Sequence, residues 1–288
     1  MFCLKRRDSL VRRLLQAVAA CLVMLLFFPF SGGNLSAAAH VDTLTIGGTG
    51  SALGCMREVA HLFQKRHPDI AVKILPSLGS TGGIKAVLAG ALSLALSARP
   101  LSTREKSAGA SAVEYARTPF VFVSAVSAAR ERGFTLEEVA SIYAGKLHIW
   151  PDHTPIRLIM RPESDTDTEM LKAMSPEMEK GVEMALSREG MLVAMTDQEN
   201  ADLLAKVKGA FGTSTLAQII SERRPLHALT LDGVEPSVAT LAKGAYPYSK
   251  SFFAVTGPRS NPEAWKFIKF LFSPEGQAIL TRTGHLIR

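Results

Sequence analysis

The sequence predicts an α/β protein built from parallel βαβ units, and three observations carry that expectation. Short apolar, strand-like runs alternate with helix-length amphipathic segments from residue 43 onward, the pattern that lays helices against a parallel sheet. Several of the runs end in a corner rich in Gly, Ser or Thr before the next helix. Apolar residues make up 47% of the 288, enough to core one large domain or two modest ones.

Taken in order, residues 43–46 read as a strand and 47–51 (Gly-Gly-Thr-Gly-Ser) as a turn. A helix over 52–66 follows, with Leu53, Met56, Val59, Ala60 and Phe63 at helical spacing. Residues 70–75 form the second strand, and Pro76 leads into Leu78-Gly79-Ser80-Thr81-Gly82-Gly83-Ile84-Lys85, with a short helix over 84–89. A short apolar run spans 91–97. Residues 118–126 give the strongest central-strand signal. Thr135 caps a helix to 143, with Glu137 and Glu138 in its first turn and Gly145 as its stop. The strand 156–160 enters Arg161-Pro162-Glu163-Ser164-Asp165-Thr166-Asp167-Thr168, and helices follow over 169–174 and 176–187. Residues 210–214 precede a helix over 215–221. Late strands lie at 226–231 and 251–256. Helices over 262–272 and 274–283 each begin with a proline, which suits a first turn.

The first 39 residues read as a leader. Lys5, Arg6, Arg7, Arg12 and Arg13 precede an apolar run over 14–30, then Ser-Gly-Gly and the small residues Ser36-Ala37-Ala38-Ala39. That order describes a secretory signal peptide cut after Ala39. Two alternatives stay open: an uncleaved anchor, whose run is marginal in length for a span, and a lipoprotein box at Val18-Ala19-Ala20-Cys21. Without the leader, 33 basic and 26 acidic residues (+7) become 28 and 25 (+3), so the basic balance is largely an export signal and nucleic acid is not an expected partner. Only Cys55 then remains, which excludes an internal disulfide and reads as a small packed hydrophobe.

Three corners share one design, an apolar strand followed by a hydroxyl-rich turn and a helix; they centre on 49–51, 80–83 and 164–168. A helix N-terminus with free N–H groups holds anions, and ligands of open α/β sheets bind beyond the carboxyl ends of strands. The 80–83 corner alone reads more readily as an ordinary capped turn. Arg161 could add a bidentate contact to an oxyanion.

With Leu96-Ser97-Ala98-Arg99-Pro100-Leu101, Phe211-Gly212-Thr213, and a tail of Tyr246-Pro247-Tyr248-Ser249 and residues 267–277, these corners give the chain its likeness. It resembles the periplasmic solute-binding proteins of ABC importers, in the phosphate-binding branch of the type II fold. The resemblance implies two α/β lobes, each a mainly parallel sheet flanked by helices, joined by two crossover segments and closing on ligand. Residues 40–122 with 249–288 would form one lobe and 123–248 the other, with crossovers near 118–120 and 246–251. It implies a small inorganic oxyanion, phosphate foremost, as ligand and the permease subunits of an ABC importer as partner, with a periplasmic location and no cofactor. The residues expected at the ligand are Thr49, Gly50, Ser51, Ser80, Thr81, Gly82, Arg99, Arg161, Asp165 and Thr166. The chain is expected to act as a monomer.

Two departures from the family pattern matter. Ala98, followed by Arg99, stands where phosphate binders carry an Asp that accepts the ligand's proton; Asp165 and Asp167 stand in a segment that otherwise offers neutral donors. Asp165 reads either as a helix cap away from ligand or as a carboxylate facing the cleft, where it could accept a proton from a protonated oxyanion or pair with Arg99 or Arg161. The anion therefore stays open among phosphate, sulfate, molybdate and tungstate. The histidines show no paired ligand spacing, and no Gly-x-Ser-x-Gly elbow or Walker loop occurs, so neither a metal site nor an enzyme is expected. Trp150 and Trp265 are expected to pack, and His61 and His67 to be solvated. The alternative function is a sensor or scaffold of the same fold that signals through a partner.

Overall fold

The computed structural model describes residues 42–125 and 133–287. The expected leader and the box at Cys21 lie outside the described residues, as does Val126. Among the described residues no helix is long and apolar enough to cross a membrane.

The strands are β1 (Asp42–Gly48), β2 (Ile70–Ile74), β3 (Leu94–Ser97), β4 (Ser111–Ser124), β5 (Arg157–Met160), β6 (Leu192–Val193), β7 (Ala210–Thr215), β8 (His227–Ala228) and β9 (Ser249–Thr256). They lie in the order β2-β1-β3-β9-β4-β7-β5-β6, with β8 paired to β4. Pairing is parallel at the two ends, β2/β1/β3 and β6/β5/β7, and antiparallel through the centre, where β9 joins β3 to β4. The fourteen-residue β4 belongs to both ends: residues 111–119 pair with β9 and residues 120–123 with β7.

The helices are α1 (Leu53–Arg66), α2 (Gly79–Leu88), α3 (Thr103–Ser107), α4 (Leu136–Tyr143), α5 (Thr166–Lys172), α6 (Pro176–Leu186), α7 (Asp197–Lys206), α8 (Leu216–Ser221), α9 (Val238–Ala242), α10 (Pro262–Leu271) and α11 (Pro274–Arg282). Their starts follow local chemistry. Thr135 and Glu138 make a reciprocal capping box at α4, while Ser175, Asn261 and Ser273 each accept a backbone N–H at the head of α6, α10 and α11.

The apolar cores sort along β4 and β9. One pair of clusters unites β1–β3, α1, α2, α10 and α11 with the β4 residues Tyr115 and Ala116 and the β9 residues Phe252, Ala254 and Val255. The other pair holds Phe120–Val123 of β4 with α4, α5, α6, α7 and β7. At the centre of the second group Phe211 packs on Phe122, Phe134, Trp150 and Tyr143, with ring centroids 5.8 to 6.3 Å away. Cys55 is a packed thiol that accepts from Thr283 Oγ1 at 3.2 Å, and burial pushes its pKa up to about 12.

Several local expectations shift. β4 begins at Ser111 rather than 118, since Glu114 and Arg117 interrupt the apolar alternation that would have announced it. The expected strand over 226–231 keeps only His227–Ala228, because a turn with Asp232 and Gly233 at φ of 50° and 75° folds the chain back. Trp150 is buried as expected, but Trp265 is 54% exposed on α10. His61 is exposed, whereas His67 is half-buried with its ring on Phe63.

Truncating Phe211 to Ala should cost about 3–5 kcal/mol, the usual cost of an unfilled aromatic cavity. Urea unfolding would show it as a lower midpoint with an unchanged slope.

Candidate ligand-binding cleft

The second corner is helix earlier than expected. α2 starts at Gly79, so Gly82 and Gly83 lie within its first two turns. Gly83 is there for packing: a Cβ on it would stand 2.7 Å from the Cα of Gly48, and its absence lets α2 sit on the end of β1. No side chain caps α2, because the residue before it is Leu78. Its first-turn N–H groups therefore face outward with the positive end of the helix dipole. Ser80 is buried, and its Oγ accepts from Ala98 N at 2.9 Å. Thr81 Oγ1 accepts from Arg99 Nη2 at 3.2 Å. Arg99 itself makes a bidentate pair with Glu105, at 2.8 and 2.9 Å. The hydrogen bond from Arg99 holds the Glu105 carboxyl down at about 2. Ala98 is buried in the first core.

The third corner forms the opposite wall. Asp165 is the N-cap of α5, accepting from Asp167 N at 2.9 Å through Oδ1. Its Oδ2 accepts from Arg161 Nη2 at 2.8 Å. Both readings of Asp165 thus hold at once: it caps the helix, and it lines the cleft. Arg161 is 4% exposed, and its other arm donates to Ala194 O at 2.6 Å. The expected open arginine is instead tied to a carboxylate and a backbone carbonyl, away from the cleft lining.

Behind this wall lies an ion cluster that sequence reading missed. Lys250, 2% exposed on β9, pairs with Asp167 of α5 and stands 4.0 Å from Asp197 of α7. Its ammonium also lies 5.6 Å from the centre of the Phe120 ring, within reach of a cation–π contact. Burial pushes the Asp167 carboxyl up to about 6, against the pull of Lys250. A signal existed: Lys250 shares strand parity with Phe252 and Ala254, both buried, so its side chain leaves β9 on the same face.

The first corner goes elsewhere. Thr49 and Ser51 are buried and bond each other, Oγ1 to Oγ, at 3.0 Å. Gly50 O accepts from Gln198 Nε2 at 2.9 Å, and a Cβ on Gly50 would meet Gln198 Oε1 at 2.4 Å and Asp197 Oδ2 at 2.8 Å. Only glycine lets the head of α7 approach this closely. Thr49, Gly50 and Ser51 are thereby packed against α7 rather than set in the cleft lining.

What remains open is a cleft of about 280 Å³ between the head of α2 and the heads of α5 and α7. Ser77, Ser80 and Thr81 supply hydroxyls on one side, and Ser164, Thr166 and Thr196 on the other. Of the residues expected at the ligand, Ser80, Thr81, Gly82, Asp165 and Thr166 meet here, with Arg99 bonded to Thr81 at the margin.

A domain described as a PBP superfamily domain matches residues 35–275. The chain belongs to this superfamily. It is similar to the phosphate-binding protein PstS of Bacillus subtilis (strain 168), 24% identical over 253 residues that cover 85% of this chain and 80% of the relative. A Clostridium perfringens protein solved with bound phosphate aligns at a TM-score of 0.71 and 22% identity, over 86% of this chain and 100% of that one. The periplasmic molybdate-binding protein of Azotobacter vinelandii aligns at 0.58 and 16% identity, over 85% and 99%. These structures bear on the fold, which is the two-lobed type II fold of superfamily members.

Two variants probe the cluster. Lys250→Met would leave Asp167 and Asp197 buried without their cation and should cost about 3–5 kcal/mol in chemical unfolding. The second concerns pH. With its pKa at about 6, Asp167 keeps a proton in the folded state that the unfolded chain, at roughly 3.9, has lost. Its contribution to stability is therefore greatest below about 4 and declines as pH rises through 6. Asp167→Asn should flatten that part of the stability–pH curve; an unchanged slope would assign the titration to another group.

Proposed function

We propose that this protein captures a small oxyanion, phosphate or a phosphate-like ion, in its cleft and delivers it to the membrane permease of an ABC importer. The observation that carries this reading is the uncapped first turn of α2 opening onto a walled, hydroxyl-rich cleft. Such a site holds a dehydrated anion with neutral donors and the helix dipole, without a full counter-charge. The similarity to a Bacillus subtilis phosphate-binding protein and to a protein solved with bound phosphate supports the choice of ligand class.

In this reading the anion sits on the N–H groups of α2 and the hydroxyls of Ser80 and Thr81, and Thr166 reaches it from the opposite wall. Arg161 serves by positioning: it holds Asp165 and Ala194 O, and so the wall itself. Residues 40–119 with those from 249 onward form one lobe and 120–248 the other, a boundary slightly before 122 because Phe120 and Phe122 pack in the second core. Closure turns on β4 and β9, the two strands along which the cores divide. The protein works outside the cytoplasm as a monomer, after loss of its leader, and binds its ligand without converting it.

Calorimetric titration of the leader-free protein with phosphate, sulfate, molybdate, tungstate and ethylphosphonate tests this. Saturable one-to-one heat with at least one of them is expected, and silence with all would overturn the reading. Ser80→Ala should weaken the bound oxyanion about tenfold or more, the loss of one hydrogen bond to a charged group.

A further inference from the structure

We propose that the preferred ligand is zwitterionic: a small oxyacid that carries an ammonium group on a short aliphatic linker, an aminophosphonate being the phosphoryl form. This deepens the oxyanion reading and rests on it.

The argument is the polarity of the two walls. On the α2 side no carboxylate lines the cleft, and its helix end and hydroxyls can donate. The first-turn N–H groups have no cap, and Ser80, more than nine-tenths buried, accepts from Ala98 N and so keeps its own proton for a group in the cleft. The α5/α7 side also offers hydroxyls, from Ser164, Thr166 and Thr196, but differs in its charge. Its buried cluster sets three carboxylates, Asp165, Asp167 and Asp197, against two cations, Arg161 and Lys250. Lys250 is taken up by Asp167 and Asp197; Arg161 gives one Nη to Asp165 and the other to Ala194 O while its buried Nε has no partner, and neither cation is part of the cleft lining.

Asp165 is the member of that cluster in the cleft, with 21% of its side chain exposed. Each of its oxygens accepts one bond from the protein, and a carboxylate has about four lone-pair sites in all. The remaining sites are open to a donor in the cleft. A bare dianion would be drawn to one wall and repelled by the other, whereas an acid with an ammonium group satisfies both.

The lining agrees. Leu78 on one wall and Met195 on the other are 43% and 66% exposed, and both line the cleft. They give methylene groups of a linker an apolar surface to cover.

The test compares three probes by calorimetry on the leader-free protein: inorganic phosphate, ethylphosphonate, and aminoethylphosphonate, which differs from the second by its amine. Aminoethylphosphonate should bind at least about tenfold tighter than ethylphosphonate, which is about 1.4 kcal/mol. In Asp165→Asn, which keeps a capping side chain, that ratio should fall to about one. Equal affinities of the two phosphonates in the wild type, or a ratio that survives in Asp165→Asn, would overturn the proposal. Phosphate or ethylphosphonate binding with no gain from the amine sinks this inference and leaves the oxyanion reading standing. No heat with any of the three overturns this inference, and the oxyanion reading falls with it only if sulfate, molybdate and tungstate are silent as well.

Discussion

A lysine ammonium with almost no exposed surface has to be met by carboxylates, and in this fold it draws three elements together. Lys250 leaves the crossover strand β9 and finds Asp167 at the head of α5 and Asp197 at the head of α7. Removing an ion from water costs several kcal/mol per charge, so the cluster persists only while all its members are in place. That requirement fixes where the two helix heads stand relative to the central strands. It thereby fixes the wall of the cleft.

The chemistry left to a ligand follows from what the cluster uses up. Arg161 would be the natural oxyanion anchor of such a site, but Asp165 occupies it from four residues downstream. Gln198 holds the first corner through the Gly50 carbonyl and closes off that side. The head of α2 is left with donors to spare, because Leu78 cannot cap it. The cleft is thus electrically one-sided. A positive helix end faces a wall whose charged lining residue is the Asp165 carboxylate.

How much of this was legible depended on the range of the interaction involved. The α4 capping box could be read from Thr135 and Glu138, since both partners lie within one turn. α7 was equally readable in principle, from Thr196 followed three residues later by Glu199, and was passed over for want of an apolar stripe. The second and third corners were found because strand, turn and helix are contiguous there. That Asp165 would both cap α5 and bind Arg161 was visible as two alternatives, and nothing local says that they coexist. Lys250 and Asp167 lie 83 residues apart in sequence, so only the inward strand parity of Lys250 could hint at the pairing. The glycine at position 50 read as a donor corner, but its lack of a side chain serves the approach of α7.

A crystal structure of the leader-free protein with its bound oxyacid tests the central claim most directly. The expected result keeps Arg161 on Asp165, Lys250 between Asp167 and Asp197, and the acid oxygens on the first turn of α2. An Arg161 guanidinium swung onto the ligand, with Asp165 released from it, would contradict a cluster that spends its charges internally.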